Sequence, residues 1–155
     1  MAVTIVLYGK TPINIMGGET AAETKKIDWS SDTIKAALFT SAYTPAQDTD
    51  ELYSGISANE VANGNGYTTG GNTCTSIDPA YTAGTNTGKF DAADPTVWTA
   101  SGAGFSFRYV VIYDATSDVL IGYLDYGSTV TMSGANADTF TLTFDAAGVF
   151  TTTVP

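Results

Sequence analysis

The sequence predicts an all-β protein, a single-domain antiparallel β-sandwich with one or two short helical turns. Three observations support this fold class. Apolar and polar residues alternate over short segments, as strands with one buried face require. Glycine-rich turn signals recur roughly every 8 to 15 residues, a spacing typical of sandwiches and barrels. Helical periodicity is scarce, and a chain of 155 residues is most simply one domain over residues 1–155.

The first predicted strand covers residues 3–8, where apolar side chains occupy the odd positions and Gly9 ends the run. Residues 1–26 differ in style from the rest of the chain, and two interpretations stay open: a first core strand, or an arm that contacts a neighbour. The exposed edge of a strand can pair with a strand of another protein. The candidate partner-binding residues are therefore Val3, Ile5, Leu7 and Tyr8.

The next part of the chain predicts one strand and two short helices. A short apolar run predicts a strand over Thr33–Thr40. Short helices are predicted over Asp48–Ser54 and Ser57–Ala62, and the first residue of the second helix has capping-box spacing to Glu60. The polar segment Cys74–Asn86 predicts a long connection or weak edge strands.

The clearest strand pattern lies around residue 110. Val110 and Ile112 are predicted to face one side of the sheet, and five large alternating side chains the other, so we expect this strand to be covered on both faces. The five side chains are Phe105, Phe107, Tyr109, Val111 and Tyr113. A turn and the apolar run Val119–Tyr126 follow, which predicts an antiparallel hairpin.

The C-terminal part predicts a last hairpin. Phe140–Phe144 alternates strictly between apolar residues and threonine, which indicates one inward and one outward face. Asp145–Gly148 has the composition of a turn, and Val149–Val154 is the returning strand. The outer face of this hairpin would be rich in threonine.

Composition excludes several classes of function. The formal net charge is −10 with only six basic residues, so we expect neither nucleic acid nor an anionic membrane as a partner. Without histidine and with one cysteine, the chain cannot form Ser–His–Asp or Cys–His catalytic groups, a His-based or Cys₄ metal site, or an intrachain disulfide. Cys74 is expected to be a small buried residue near a strand, and no cofactor is implied. The first residues have no basic segment and no long apolar run, so we expect no signal peptide.

An acidic cluster at Asp48, Asp50 and Glu51 has two interpretations. Calcium takes six to eight oxygen ligands, and these carboxylates could supply some of them. Their spacing does not match an EF-hand loop. The plainer interpretation places them at a helix N-terminus, where the helix macrodipole favours negative charge.

Two pairs of aspartates are also candidates. Asp28 and Asp32 could act as the general acid and base of a glycosidase, in which two carboxylates flank the scissile bond. Asp91 and Asp94, just before Pro95, are instead similar to the acidic cluster at Asp48, Asp50 and Glu51. The plainer interpretation is that these acids stabilise turns.

Aromatic residues could form a sugar-stacking platform, because the chain has nine Tyr, seven Phe and two Trp. Their interleaving with apolar residues favours core positions instead. Trp29 lies at a predicted turn and Trp98 lies close to Pro95, so either indole could be exposed.

Several blocks of sequence resemble small structural proteins of tailed-bacteriophage virions. Together they cover most of the chain from residue 27 onward, whereas residues 1–26 match less well. The blocks are Ile27–Ser41 with Tyr43–Pro45, Asn59–Val61, Gly66–Gly71, Phe90–Asp94, Arg108–Asp114, Leu120–Gly127 and Phe140–Gly148.

This resemblance implies a non-enzymatic virion component, namely a capsid decoration (cement) protein with a jelly-roll-like β-sandwich. Such a protein stabilises the outer surface of an icosahedral capsid by bridging capsid subunits. The implied partners are the major capsid protein and further copies of this chain in a homotrimer, on the outside of a virion after synthesis in the host cytoplasm. The alternative is a tail- or fibre-associated component that binds host-surface carbohydrate.

Overall fold

The computed structural model describes residues 4–17, 26–75 and 77–153, and it confirms an all-β antiparallel sandwich. The ten strands are β1 (Val6–Leu7), β2 (Ile34–Phe39), β3 (Asn72–Thr73), β4 (Asp78–Thr82), β5 (Thr87–Asp91), β6 (Trp98–Thr99), β7 (Phe105–Asp114), β8 (Val119–Met132), β9 (Thr139–Phe140) and β10 (Phe150–Thr153). The helices are α1 (Thr11–Ile15) and α2 (Tyr53–Ile56), with 3₁₀ turns at Ser57–Asn59 and Ala83–Thr85. Among the described residues, no helix is long and apolar enough to cross a membrane.

The strands form three sheets in which every ladder is antiparallel. A five-stranded sheet has the order β1-β8-β7-β2-β3, a three-stranded sheet has the order β10-β5-β4, and β6 pairs with β9. The predicted hairpin is confirmed as β7 and β8, and the predicted second strand as β2. Strand β4, in the segment predicted to hold weak edge strands, is exposed along its whole length. The jelly-roll type stays a prediction.

The first hydrophobic core lies between the five-stranded sheet and the smaller sheets. Alternate residues of β2, β7 and β8 supply one side of this core, and residues from β5, β6, β9 and β10 supply the other. Trp29 sits among the latter, with its ring edge-on to Phe90 and Phe150 at centroid distances of 5.7 Å. Aromatic pairs prefer such edge-to-face geometry because of the quadrupole of the ring.

The second core covers the opposite face of the same sheet and is rich in tyrosine. Its members are Tyr8, Ala37, Phe39, Tyr43, Ile56, Tyr109, Val111, Tyr113 and Leu120. Tyr53 from α2 stacks on Tyr113 with ring centroids 4.1 Å apart. The hydroxyls of Tyr8 and Tyr43 lie 2.6 Å apart. The prediction that the central strand is covered on both faces is therefore confirmed.

The prediction that five large side chains of β7 share one face is wrong. Phe107 packs in the first core, whereas Tyr109 and the later alternate residues pack in the second. The ladder is interrupted between these two residues, which pair with Val130 and Asp125 of β8 respectively. Four residues of β8 (126–129) lie between these two partners against a single residue of β7. Across this bulge the later alternate residues of β7 change from one face to the other. Arg108 occupies the interruption, and its guanidinium donates two hydrogen bonds, of 2.9 and 3.0 Å, to the carboxylate of Asp125.

The predicted last hairpin is also wrong. Phe140 pairs with Trp98 of β6, and Phe150 pairs with Phe90 of β5. The turn between the two segments is present, and Leu142 is buried between exposed threonines as the alternation predicts. Alternation fixes which side chains face inward, but it leaves the choice of partner strand to the rest of the fold.

The helical predictions hold only in part. Residues 48–52 are not helical, the four-residue α2 begins at Tyr53 near the end of the predicted segment, and α1 was not predicted. The capping box is absent. The Glu60 carboxylate instead accepts hydrogen bonds from the hydroxyls of Tyr53 and Tyr67 and, at 2.7 Å, from the amide of Gly70. A buried carboxylate needs several hydrogen-bond donors. Here two tyrosine hydroxyls donate in place of the backbone amides of a helix N-terminus.

Replacing Gly71 with alanine should destabilise the fold strongly. Gly71 has a φ of +65°, and a Cβ there would lie 2.0 Å from the carbonyl oxygen of Ala36 in β2. Left-handed backbone and a clash with a rigid strand together should cost on the order of 3 kcal/mol. Urea unfolding measures the change, and Gly84→Ala is the matched control because a Cβ at Gly84 meets nothing within 4 Å. Equal stability of the two variants would contradict the close approach of Gly71 to β2.

Candidate partner-binding edge

Strand β1 lies at one edge of the five-stranded sheet, where Val6 pairs with Tyr123 of β8. Among the predicted partner-binding residues, Ile5 and Leu7 are partly buried against the first core, and Tyr8 is buried in the second. Val3 lies outside the described residues. Within the described chain, the N-terminal segment thus contributes a core strand, and the same strand forms a sheet edge.

A surface cleft lies between β1 and β10, the edge strands of the two larger sheets; we call it the edge cleft. It contains two pockets. The first, of about 430 Å³, is lined by Thr4, Ile5, Leu124, Thr143, Phe144, Asp145, Ala147, Gly148, Val149, Phe150 and Thr151. The second, of about 290 Å³, is lined by Leu7, Pro12, Ile15, Met16, Phe90, Phe150 and Thr152. Phe150 borders both pockets, which are therefore neighbours.

The edge cleft is nearly uncharged in a strongly acidic chain. Among the described residues that line the two pockets, Asp145 in the first pocket is the single charged side chain. Its carboxylate accepts a hydrogen bond of 2.8 Å from the amide of Ala147 and remains exposed. At the mouth of the second pocket, Met16 is 74% exposed. Contiguous exposed apolar surface is typical of sites that bind another molecule.

The predicted Asp28–Asp32 pair is a turn. Asp28 accepts hydrogen bonds from the amide and hydroxyl of Ser30, and Asp32 accepts one from the amide of Asp28 at 2.7 Å. The bonds from Ser30 lower the pKa of Asp28. A carboxyl group that is distant in sequence also lies near Asp32. It belongs to Asp114, which is fully buried. Burial raises the pKa of Asp114, and the proximity of Asp32 raises it further, against the effect of a hydrogen bond from Ser117.

The sequence could not indicate the Asp32–Asp114 pair, because 81 intervening positions separate its members. Strand pairing creates it. Ile34 at the start of β2 lies opposite Asp114 at the end of β7, so the residue two positions before Ile34 comes close to the same carboxyl group.

The acids around Asp50 have structural roles. Asp50 accepts hydrogen bonds of 2.9 Å from the amide of Ala46 and 2.8 Å from the hydroxyl of Tyr43. Glu51 lies 3.9 Å from the ammonium of Lys10. The interpretation as helix N-terminal acids is wrong, since α2 has no acid in its first turn. In the described parts of the chain, no three His, Cys, Asp or Glu side chains are arranged to hold a metal ion.

The other aspartate pair does not form a joint site either. Asp91 binds the ammonium of Lys89 at 2.7 Å. Asp94 accepts a hydrogen bond of 2.8 Å from the amide of Phe144, which is distant in sequence. Asp94 therefore joins two distant segments of the sandwich. Its interpretation as a local turn cap is wrong.

Neither tryptophan is exposed, so the favoured interpretation, core positions, is confirmed for both indoles, and the alternative of an exposed indole is wrong. Trp29 is 5% exposed and donates from its indole nitrogen to the carbonyl of Asp91 at 3.1 Å. Trp98 is 2% exposed and stacks against Phe140. Indoles of this size contribute most when they fill a core, and both do so here.

Cys74 is 2% exposed, as predicted for a small residue beside a strand. Burial, followed by the nearby charge of Asp94, raises the pKa of its thiol to about 12. The thiol is therefore protonated at neutral pH, and a protonated thiol is a poor nucleophile.

Comparison with protein-family models, with curated protein sequences and with solved structures finds no match for this chain.

Replacing Asp32 with asparagine should make stability less sensitive to pH. Because the folded-state pKa of Asp114 is raised, its contribution to stability is full below the unfolded pKa of about 3.9 and is lost as pH rises through the folded pKa. Asp32→Asn removes one cause of the raised pKa and keeps an oxygen for the amide of Asp28. The gain in unfolding free energy over the wild type should therefore be larger at pH 7 than at pH 3.5.

Asp28→Asn is the matched control, since it removes the same charge from the same turn. The pKa of Asp28 is lowered in the folded state, so its contribution is present above the unfolded pKa and is lost on acidification. Relative to Asp32→Asn, this variant should lose stability at pH 7. Urea titrations at both pH values test the pair, and identical pH profiles would contradict the Asp32–Asp114 contact.

Proposed function

We propose that this protein is a non-enzymatic structural component of a tailed-bacteriophage virion that decorates and stabilises the outer surface of the capsid. The observation that carries the proposal is the edge cleft. Ile5 and Leu7, in the segment predicted to contact a partner, border its apolar pockets. The sequence blocks that resemble phage structural proteins support the same proposal.

Charge supports the outer position. With a net charge of −10, the protein is soluble before assembly and is repelled by packaged DNA. A surface that binds a capsid must then be locally uncharged or complementary to the capsid. The edge cleft comes close to the first condition, because the part of its lining that the structure describes holds one acid and is otherwise neutral.

The direct test is cryo-electron microscopy of the virion that carries this chain. We expect density for the sandwich on the outer capsid, between capsid subunits, with the β1–β10 edge facing the shell. Density on the tail would favour the alternative, a tail- or fibre-associated protein, even though both indoles are buried. Absence of the protein from purified virions would refute a structural role in the particle.

We also expect the purified protein to form a homotrimer. Size-exclusion chromatography with light scattering should give a mass three times the 16.1 kDa of the chain. The measurement belongs at moderate ionic strength, where salt screens repulsion between acidic copies. A monomeric mass at all concentrations would refute the trimer in solution and leave trimerisation to the shell.

A further inference from the structure

The two pockets of the edge cleft follow the repeat of a β-strand. Ile5 lines the first pocket and Leu7 the second, and residues two apart on a strand lie about 6.6 Å from each other on one face. Side chains of a second extended segment, also two residues apart, have the same spacing. The two pockets are thus bordered by alternate residues of one strand, as the side chains of an added strand would require.

The two edges that border the cleft differ in how they are covered. The outer edge of β1 is capped by Gln47, whose side-chain amide donates to the carbonyl of Leu7 at 2.8 Å and whose carbonyl accepts from the amide of Gly9 at 2.9 Å. In the part of the chain that the structure describes, β10 pairs with β5 alone. The threonines of β10 after Phe150 are exposed. Strand β10 is thus the edge that can accept a further strand.

Charge selects the occupant. The chain itself has sixteen acidic and only six basic residues, so a basic segment of another protein complements an acidic pocket better than a segment of a second copy. Asp145 lies in the first pocket with one hydrogen bond from a turn amide and no basic side chain among the lining residues. A lysine or arginine next to an apolar residue of the occupant would meet this carboxylate.

We propose that the edge cleft binds an extended segment of another protein by adding it as a strand to β10. Two apolar side chains of that segment, two positions apart, fill the two pockets, and a basic residue at one end pairs with Asp145. This inference rests on the proposed function, because it assigns the contact with the capsid protein to such a segment.

The probe is a fluorescein-labelled synthetic peptide, acetyl-KTVTITSG-amide, in which the two apolar residues are two positions apart. The comparison peptide, acetyl-KTVITTSG-amide, has the same composition with the apolar residues adjacent, so its side chains point to opposite faces of a strand. Anisotropy titration of the full chain should give saturable binding of the first peptide and about tenfold weaker binding of the second. Amide shifts in NMR spectra should concentrate in β10 and β1.

Two exposed apolar residues provide a matched pair of variants. Met16→Lys places a charge at the mouth of the second pocket and should weaken peptide binding about fivefold or more. Val97→Lys makes the same change at a residue that is 42% exposed and lies outside both pockets, so affinity should stay unchanged. Neither residue is buried, so both variants should keep the unfolding midpoint of the wild type.

A third variant tests the basic residue of the occupant. Asp145→Asn keeps an oxygen for the amide of Ala147 but removes the charge, so the affinity for the first peptide should fall and should become less sensitive to salt. The inference is overturned by binding that does not saturate, by equal affinity for the two peptides, or by equal weakening in Met16→Lys and Val97→Lys. A protein found on the capsid without peptide binding overturns this inference alone, whereas peptide binding by a protein absent from virions overturns the proposed function alone.

Discussion

The fold depends on burying both faces of one sheet. Among the described residues, strands β2, β7 and β8 carry ten of the twelve largest fully buried side chains, and each fully buried aliphatic side chain contributes about 1.5–3 kcal/mol. A sheet with two apolar faces needs two covers. The smaller sheets cover one face, and the tyrosine-rich connection from Phe39 to Glu60 covers the other. Glu60 links the two cores, since Tyr53 belongs to one and Tyr67 to the other, and both donate to its carboxylate.

The strands of the central sheet were predictable because local patterns determine them. The hairpin of β7 and β8 joins segments that are adjacent in sequence, and its apolar residues alternate clearly. The faces at Phe107 and the partner of β10 were not predictable. The bulge depends on the register between β7 and β8 and leaves no mark in the apolar pattern of β7. The pairing of β10 with β5 joins segments about 60 residues apart. Glu60 illustrates a related limit, because its capping-box spacing is local and its tyrosine donors come from tertiary structure.

The candidate edge, too, was predictable only where local sequence patterns determine it. The alternation of residues 3–8 predicts a strand with one apolar face, and the structure places Ile5 and Leu7 on such a face. The opposite wall of the cleft comes from the far end of the chain, and its pockets exist only because two sheet edges meet. Likewise, the aspartate that lies near Asp32 is set by the pairing of β2 with β7. Sequence patterns can indicate which residues are available for contact, whereas concave sites arise from pairings between distant strands.

The isolation of Cys74 has a practical consequence. It is the only cysteine in the chain, its side chain is buried beside β3, and its thiol is protonated at neutral pH. An alkylating reagent can reach it only when that region opens, so the labelling rate reports the frequency of opening. Each molecule thus carries one natural reporter of local unfolding. Comparing the labelling rate of free protein with that of assembled particles would measure directly how much a partner lowers the frequency of local opening.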